Sequence, residues 1–389
     1  MIRRETLLRR RMARGPLPTA EGPHRRQALA LIASGAALAL ASCEPPRREI
    51  IPYVTERDEL GAGQIRRYAT SLSLAGYGIG VVGRVVDGRP IKLEGNPAHP
   101  ASLGSTDVYA EAAILDLYDP ARSKSAYGPS GSTSWSAAAR ALQKRLEAHQ
   151  ADGGDGVFLV TGRVTGPTRL SLIQSLRARF PAMRWIRYEP CHDDNAAAGA
   201  NLAFGAPLVL RPRFADAGVI LSLGADPLGP GPGQVPWSRA IMSRRSGSPA
   251  AGPMSRIYVA EGGLTLTGAA ADHRLAGDPE LLRAIALSLA SSLGAGVQAA
   301  SLSGRAAGFA RAATADLSAA KGKAIVLAGD NESAEMHALC AWINDALAAP
   351  IDAIGQFDPH PEPHGASFAS LRDALDSGAV RTLVIIGAN

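Results

Sequence analysis

Cys43, Cys191 and Cys340 are the only thiols in 389 residues, and no two of them stand at C-x-x-C spacing. An iron–sulfur cluster takes about four protein thiolates, and a structural zinc site gathers its ligands at short intervals. The chain therefore holds no self-contained Fe–S site, while its cysteine count is compatible with one optional disulfide between Cys191 and Cys340. Cys191-His192-Asp193-Asp194 unites ligand-capable side chains, but neighbours in one strand or loop rarely converge on a single ion. A turn and helix cap ahead of residues 196–200 is the simpler reading. His360-Pro361-Glu362-Pro363-His364 falls in a proline-rich loop and reads as solvated. The sequence has neither a G-x-S-x-G elbow nor an H-E-x-x-H pair. No catalytic, cofactor-binding or metal-ligating residue is assigned on these grounds.

Glycine-rich loops offer another kind of chemistry, because bare backbone lets a phosphate approach its N–H groups. Gly78-Ile79-Gly80-Val81-Val82-Gly83 spells G-x-G-x-x-G. A dinucleotide site needs a strand before the glycines and a helix after them. Here a strand and a turn follow, so close backbone packing is expected instead. Three later loops sit where strands should end: residues 224–233, the Glu261-Gly262-Gly263 loop after Val259, and Gly329-Asp330-Asn331-Glu332. Each could cradle a phosphate or be a plain turn. None has a Walker pattern or an adjacent lysine.

The elements that must position these loops follow from periodicity. Residues 68–74 alternate as a strand, 79–86 are β-branched, and Asp87-Gly88-Arg89-Pro90 supplies a turn before a strand over 91–94, which together predict a hairpin. A Gly/Ser/Pro stretch over 128–133 marks a boundary. Ser134 then caps a helix with Trp135, Ala139, Leu142 and Leu146 at helical spacing. Beyond it, strands over 157–160, 185–188, 219–223, 257–259, 324–327 and 382–386 alternate with helices over 170–180, 279–293, 334–347 and 367–375. This order predicts an α/β fold: a small N-terminal β-rich module followed by doubly wound parallel-sheet domains. The expected division is a signal segment 1–42, a β-rich module 43–128 and an α/β region 129–389. Because the chain stops at the tip of a buried strand, that region is expected to be incomplete.

Apolar residues make up 46% and charged residues 20%, with Gly 42 and Pro 27, which excludes disordered and collagen-like classes. The net charge of +6 is carried by the front of the chain, where residues 1–42 hold eight arginines against Glu5 and Glu21. The remainder is near neutral, so a nucleic-acid partner is not indicated. Arg25-Arg26 precedes a 14-residue apolar run over 28–41, too short for the roughly 20 residues that span a bilayer but suited to a signal-peptide core. Half of that run is alanine, and a twin arginine before a weakly apolar core suits the twin-arginine export route. Leu40-Ala41-Ser42-Cys43 also reads as a lipobox, making Cys43 a candidate for lipidation.

The hairpin and its sequel are specific in sequence: Gly88-Arg89-Pro90-Ile91-Lys92-Leu93-Glu94-Gly95-Asn96-Pro97-Ala98-His99-Pro100, then Leu117-Tyr118-Asp119-Pro120-Ala121-Arg122, then Ser134-Trp135. This resembles the opening of the molybdopterin oxidoreductase family. The likeness continues through residues 217–226, 264–269, 271–273 and 387–389, and covers 49–389. Catalytic members carry a cysteine-rich Fe–S motif before the hairpin and another cysteine after it, whereas residues 66–76 and 103–107 contain none. No molybdenum ligand can be placed, and the loop after Leu223 offers backbone and Asp226 where pterin nucleotides call for cations. With Ile50-Ile51-Pro52-Tyr53-Val54 and residues 102–107 and 113–120, the resemblance within the family is to the large B subunits of alternative complex III, a quinol-oxidising respiratory complex.

That resemblance implies a cofactor-free, non-catalytic scaffold region of an electron-transfer subunit, without molybdopterin and with Fe–S clusters only in sequence beyond Asn389. It implies partners among the other subunits of a membrane-bound complex, location on the periplasmic side of the cytoplasmic membrane, and membrane association through the complex or a lipid anchor. A catalytic molybdopterin bis-nucleotide oxidoreductase and an exported small-ligand-binding protein are the alternatives. Replacing Arg25 and Arg26 together by lysine is expected to block export, scored by fractionation of the producing cells; normal export refutes the twin-arginine reading.

Overall fold

The protein is represented by a computed structural model that describes residues 64–247, 252–355, 360 and 362–387. Arg25, Arg26, Cys43 and residues 50–54 lie outside the described residues. The chain enters an antiparallel meander of β1 (Ile65–Leu74), β2 (Tyr77–Val86) and β3 (Arg89–Gly95). Both connections are two-residue loops with positive φ throughout, Ala75-Gly76 (46° and 80°) and Asp87-Gly88 (48° and 75°). Such loops match the right-handed twist of the flanking strands. The expected hairpin is thus present, with its second strand beginning at Arg89 rather than Ile91.

The G-x-G-x-x-G run lies inside β2, and its middle glycine explains it. A Cβ on Gly80 would stand 2.4 Å from Cγ of His99. Instead the Gly80 amide donates to His99 Nδ1 at 3.3 Å, and the wholly buried Ser102 donates to the Gly80 carbonyl at 2.6 Å. The motif is backbone packing, as the sequence context implied. A short helix α1 (Val108–Ala112), capped by Asp107, and a small hairpin of β4 (Ala126–Gly128) and β5 (Gly131–Thr133) lead to α2 (Trp135–Glu147). Ser134 caps α2 as expected, accepting from the Ala137 amide at 3.2 Å. The apolar stripe of α2 is not a core face, however: Trp135 is 76% exposed and only Leu146 packs inward.

Two parallel sheets follow, one nested inside the other. The first is opened by β6 (Val157–Thr161), α3 (Pro167–Arg179) and β7 (Arg184–Arg187). Then α4 (Asp194–Phe204) and β8 (Leu208–Pro212) carry the chain away. The second sheet is built from β9 (Val219–Leu223), α5 (Gln234–Ser243), β10 (Arg256–Glu261), α6 (Leu266–Ala269), β11 (His273–Ala276), α7 (Pro279–Ser292), α8 (Gly304–Ala319), β12 (Ala324–Ala328) and α9 (Ala334–Ala346). The chain returns along β13 (Ile351–Gly355) and α10 (His364–Asp376) to β14 (Thr382–Ile386). Strand orders are β14-β6-β7 and β11-β10-β9-β12, all parallel, while β8 and β13 pair antiparallel as a two-stranded ribbon.

Burial follows the expected strands. Val157 and Leu159 face α3, Phe158 and Val160 face α10, and the alternate residues of β9 and β10 feed cores on both faces of the second sheet. Two-sided burial makes these strands continuous apolar runs, which is why they were legible. Several elements were not, α8 and the two ribbon strands among them. The helix α8 is rich in alanine and short of large apolar residues, and the ribbon strands carry Arg211 and Asp352, so neither shows a strong period.

Helices α4 and α9 pack the two layers together at an approach that no side chain permits. A Cβ on Gly199 would meet Cβ of His337 at 2.4 Å and the Ala334 carbonyl at 2.7 Å. Gly199→Ala is expected to destabilise the protein by about 1–3 kcal/mol through overpacking, measured by urea unfolding. An unchanged midpoint would show that the two helices can separate freely.

Candidate functional site

Ligands of doubly wound sheets bind beyond the carboxyl ends of the strands, so those ends are where function has to be sought. In the first sheet, Thr161 ends β6 and Gly162-Arg163 follow. The Arg163 amide donates to Glu189 Oε1 at 2.7 Å, and a Cβ on Gly162 would fall 2.7 Å from that same oxygen. The Arg163 guanidinium pairs with Asp193, Nη1 to Oδ2 at 3.1 Å, and reaches His364 Nε2 at 3.1 Å. Burial raises the Asp193 carboxyl, but the hydrogen bonds and charge of Arg163 outweigh it and hold it below the usual range. Asp194 accepts from the His364 and Gly365 amides, both at 3.0 Å, and so covers the first turn of α10.

The second sheet repeats the pattern. Asp226 Oδ1, in the loop after β9, accepts from the Thr267 amide at 2.9 Å and the Thr267 hydroxyl at 2.6 Å. A Cβ on Gly229 would lie 2.0 Å from the other Asp226 oxygen. Glu261, the last residue of β10, accepts from the Thr265 hydroxyl at 2.6 Å and pairs with Arg274 of β11. Beyond β9 and β12 the backbones of Gly224 and Gly329 close on one another, a Gly329 Cβ falling 2.3 Å from the Gly224 carbonyl. The three glycine-rich loops of the sequence do meet at this edge, and in two of them a carboxylate, Asp226 or Glu261, turns inward and takes donors that a phosphate would use.

Other residues singled out in the sequence are placed as follows. Cys191 is exposed in the loop after β7 and Cys340 is buried in α9; both are free thiols, so the disulfide allowed by their number is not formed. Burial, and secondarily the charge of Glu332, pushes the Cys340 thiol up to about 12, which makes it inert. Residues 191–194 do form the expected turn into a helix. Their carboxylates, though, serve Arg163 and α10, and Asp193 does not cap its own helix with its side chain. The solvated reading of His360 and His364 is wrong: they are 7% and 0% exposed. His360 bonds to the Trp185 carbonyl at 2.9 Å and meets the Trp185 ring edge-on, which draws the proline-rich segment onto β7. His192 stacks on His364 with centroids 5.5 Å apart, a convergence of two distant segments that no local pattern announces. Among the described residues no group of three or more His, Cys, Asp and Glu is placed to hold a metal ion, and no helix is long and apolar enough to cross a membrane.

This is the mixed α/β architecture of the molybdopterin oxidoreductase fold. Over 72% of the chain it superposes with a TM-score of 0.50 on 43% of acetylene hydratase from Pelobacter acetylenicus, at 14% sequence identity, a likeness of fold. Over 102 residues, 25% of its length, the chain is 40% identical to the menaquinone reductase, molybdopterin-binding-like subunit, of Nitratidesulfovibrio vulgaris. Those residues are 14% of that protein. No family model matches. The two likenesses together support a molybdopterin oxidoreductase-like family for this chain.

His364 supplies a test of this edge. Burial lowers its pKa to about 4, the positive charges of Arg187 and Arg163 and the neighbouring His192 add to the effect, and only Asp194 opposes it. The unfolded chain takes up the proton near pH 6.5 and the folded chain only near about 4. Stability should therefore be full above about pH 6.5 and fall as the pH drops towards 4, by at most about 3 kcal/mol from this group. Denaturant midpoints from pH 7 to 4 are expected to show that slope, flattened in His364→Gln; an equally steep variant would assign the slope to other groups.

Proposed function

We propose that this chain is a scaffold region, without a redox cofactor of its own, within an exported electron-transfer subunit of a quinol-oxidising respiratory complex of the alternative complex III type. The observation that carries the reading is the inward turn of Glu189, Asp194, Asp226 and Glu261 at the carboxyl edges of both sheets. A pterin dinucleotide brought to these loops would set its phosphates against four carboxylates, with the nearby Arg163 and Arg274 already engaged by Asp193 and Glu261. The described residues do not fit that group. Sulfur tells the same way, since three scattered cysteines cannot hold a cluster.

The relative named as a menaquinone reductase subunit supports a place among the subunits of a quinone-linked respiratory complex. The mechanical role would be to hold a cluster-bearing part and neighbouring subunits at fixed distance on the outer face of the membrane. The tight α4–α9 contact suits such a role, because it joins the two layers rigidly. Catalysis and Fe–S clusters belong, in this reading, to other sequence. Export rests on Arg25 and Arg26, and Cys43 would add a lipid anchor if it is acylated.

Metal analysis decides. The purified 389-residue chain is expected to be colourless and free of both iron and molybdenum, and the intact complex to hold iron without molybdenum. Stoichiometric molybdenum in either preparation would overturn the reading in favour of a catalytic molybdopterin enzyme.

A further inference from the structure

Glu261 is 2% exposed, yet it is a carboxylate, and burying one is unfavourable unless donors surround it. Its surroundings are unusually complete. The Arg274 guanidinium reaches Oε1, the Thr265 hydroxyl donates to Oε2 at 2.6 Å, and the Thr265 amide lies 3.4 and 3.3 Å from the two oxygens. On the remaining side stands Gly268, where a Cβ would fall 1.9 Å from Oε1, 2.6 Å from Cδ and 2.8 Å from Oε2. The carboxylate thus sits in a recess whose floor is bare backbone and whose walls are a cation and a hydroxyl. That is the donor set of a small-oxyanion site. The Arg274 side chain is 31% exposed, so that wall of the recess is reached from solvent.

We infer that Glu261 is a tethered anion: its carboxylate fills an oxyanion recess formed by Arg274, Thr265 and the open face of Gly268, and keeps that recess closed to free phosphate. The inference deepens the scaffold reading and rests on it, since it gives the chemical reason why this edge takes no phosphate-bearing ligand. Covalent attachment makes occupancy permanent, because the anion loses no translational freedom on filling the site.

The probe is inorganic phosphate, with chloride at matched ionic strength as the control, on the full chain. The wild type should gain in phosphate only the general stabilisation of an excluded anion, and that gain is the baseline for the variants. Glu261→Ala should be less stable in chloride and recover in phosphate beyond that baseline, by about tenfold in the folded-to-unfolded ratio when phosphate is at ten times its Kd. If Glu261→Ala is unfolded in chloride, phosphate should restore its far-ultraviolet circular dichroism. The same treatment of Glu261→Ala combined with Arg274→Gln should give no recovery beyond the baseline. A gain of Glu261→Ala in phosphate no larger than the baseline, no return of signal in an unfolded variant, or recovery that survives loss of Arg274 would each overturn the inference. Failure here leaves the metal content unchanged, whereas molybdenum in the wild type would sink the scaffold reading whatever phosphate does to the variant.

Discussion

Backbone amides at the carboxyl edge of a parallel sheet must find acceptors, because the strands end there and the loops have no ladder to join. Where an anionic ligand binds at such an edge, the ligand can serve as that acceptor. In this chain the acceptors are side chains of the chain itself. Glu189 takes the Arg163 amide, Asp194 those of His364 and Gly365, Asp226 that of Thr267, and Glu261 the Thr265 hydroxyl. Three of these carboxylates lie against a glycine whose missing Cβ leaves room for an oxygen: Gly162, Gly229 and Gly268. Gly229, in a loop that reads from the sequence as a phosphate candidate, is needed for a different reason, the close approach of an internal anion.

The same inversion governs the β-rich module. Asn96 and His99 of the family-like stretch, with Ser102, bond to one another and to Gly80 of β2. His99 Nδ1 accepts from the Gly80 and Ala101 amides, and Ser102 satisfies the carbonyls of Gly80 and Asn96. A motif that is specific enough to mark a family here preserves a packed corner. Specificity of sequence and chemistry of site are separate properties.

Nesting one sheet within another imposes a further constraint. The chain leaves the first sheet along β8 and returns along β13, so two strands connect the layers, and the α4–α9 contact at Gly199 fixes what a ribbon alone would leave loose. Ion pairs from Arg213 to Asp216 and Asp352 tie the base of the ribbon, but these are exposed, and exposed pairs contribute little. Rigidity comes from backbone-to-backbone packing of alanine and glycine.

The parallel strands were legible because burial on both faces writes them as unbroken apolar runs such as Val219 to Leu223 and Ile257 to Val259. The β2–β3 hairpin was legible because Asp87-Gly88 accepts positive φ. The helix α8 and the β8–β13 ribbon were not, since alanine carries little amphipathic signal and isolated ribbon strands have no buried face to impose a period. Nor did the sequence reveal that His360 and His364 are buried, that Asp194 serves a helix 170 residues away, or that Gly162, Gly229 and Gly268 face carboxylates. Local propensity and periodicity depend on near neighbours along the chain, and the sequence alone determines them. Which acceptor meets which donor depends on segments far apart in sequence being brought together, and only the packed tertiary structure decides that.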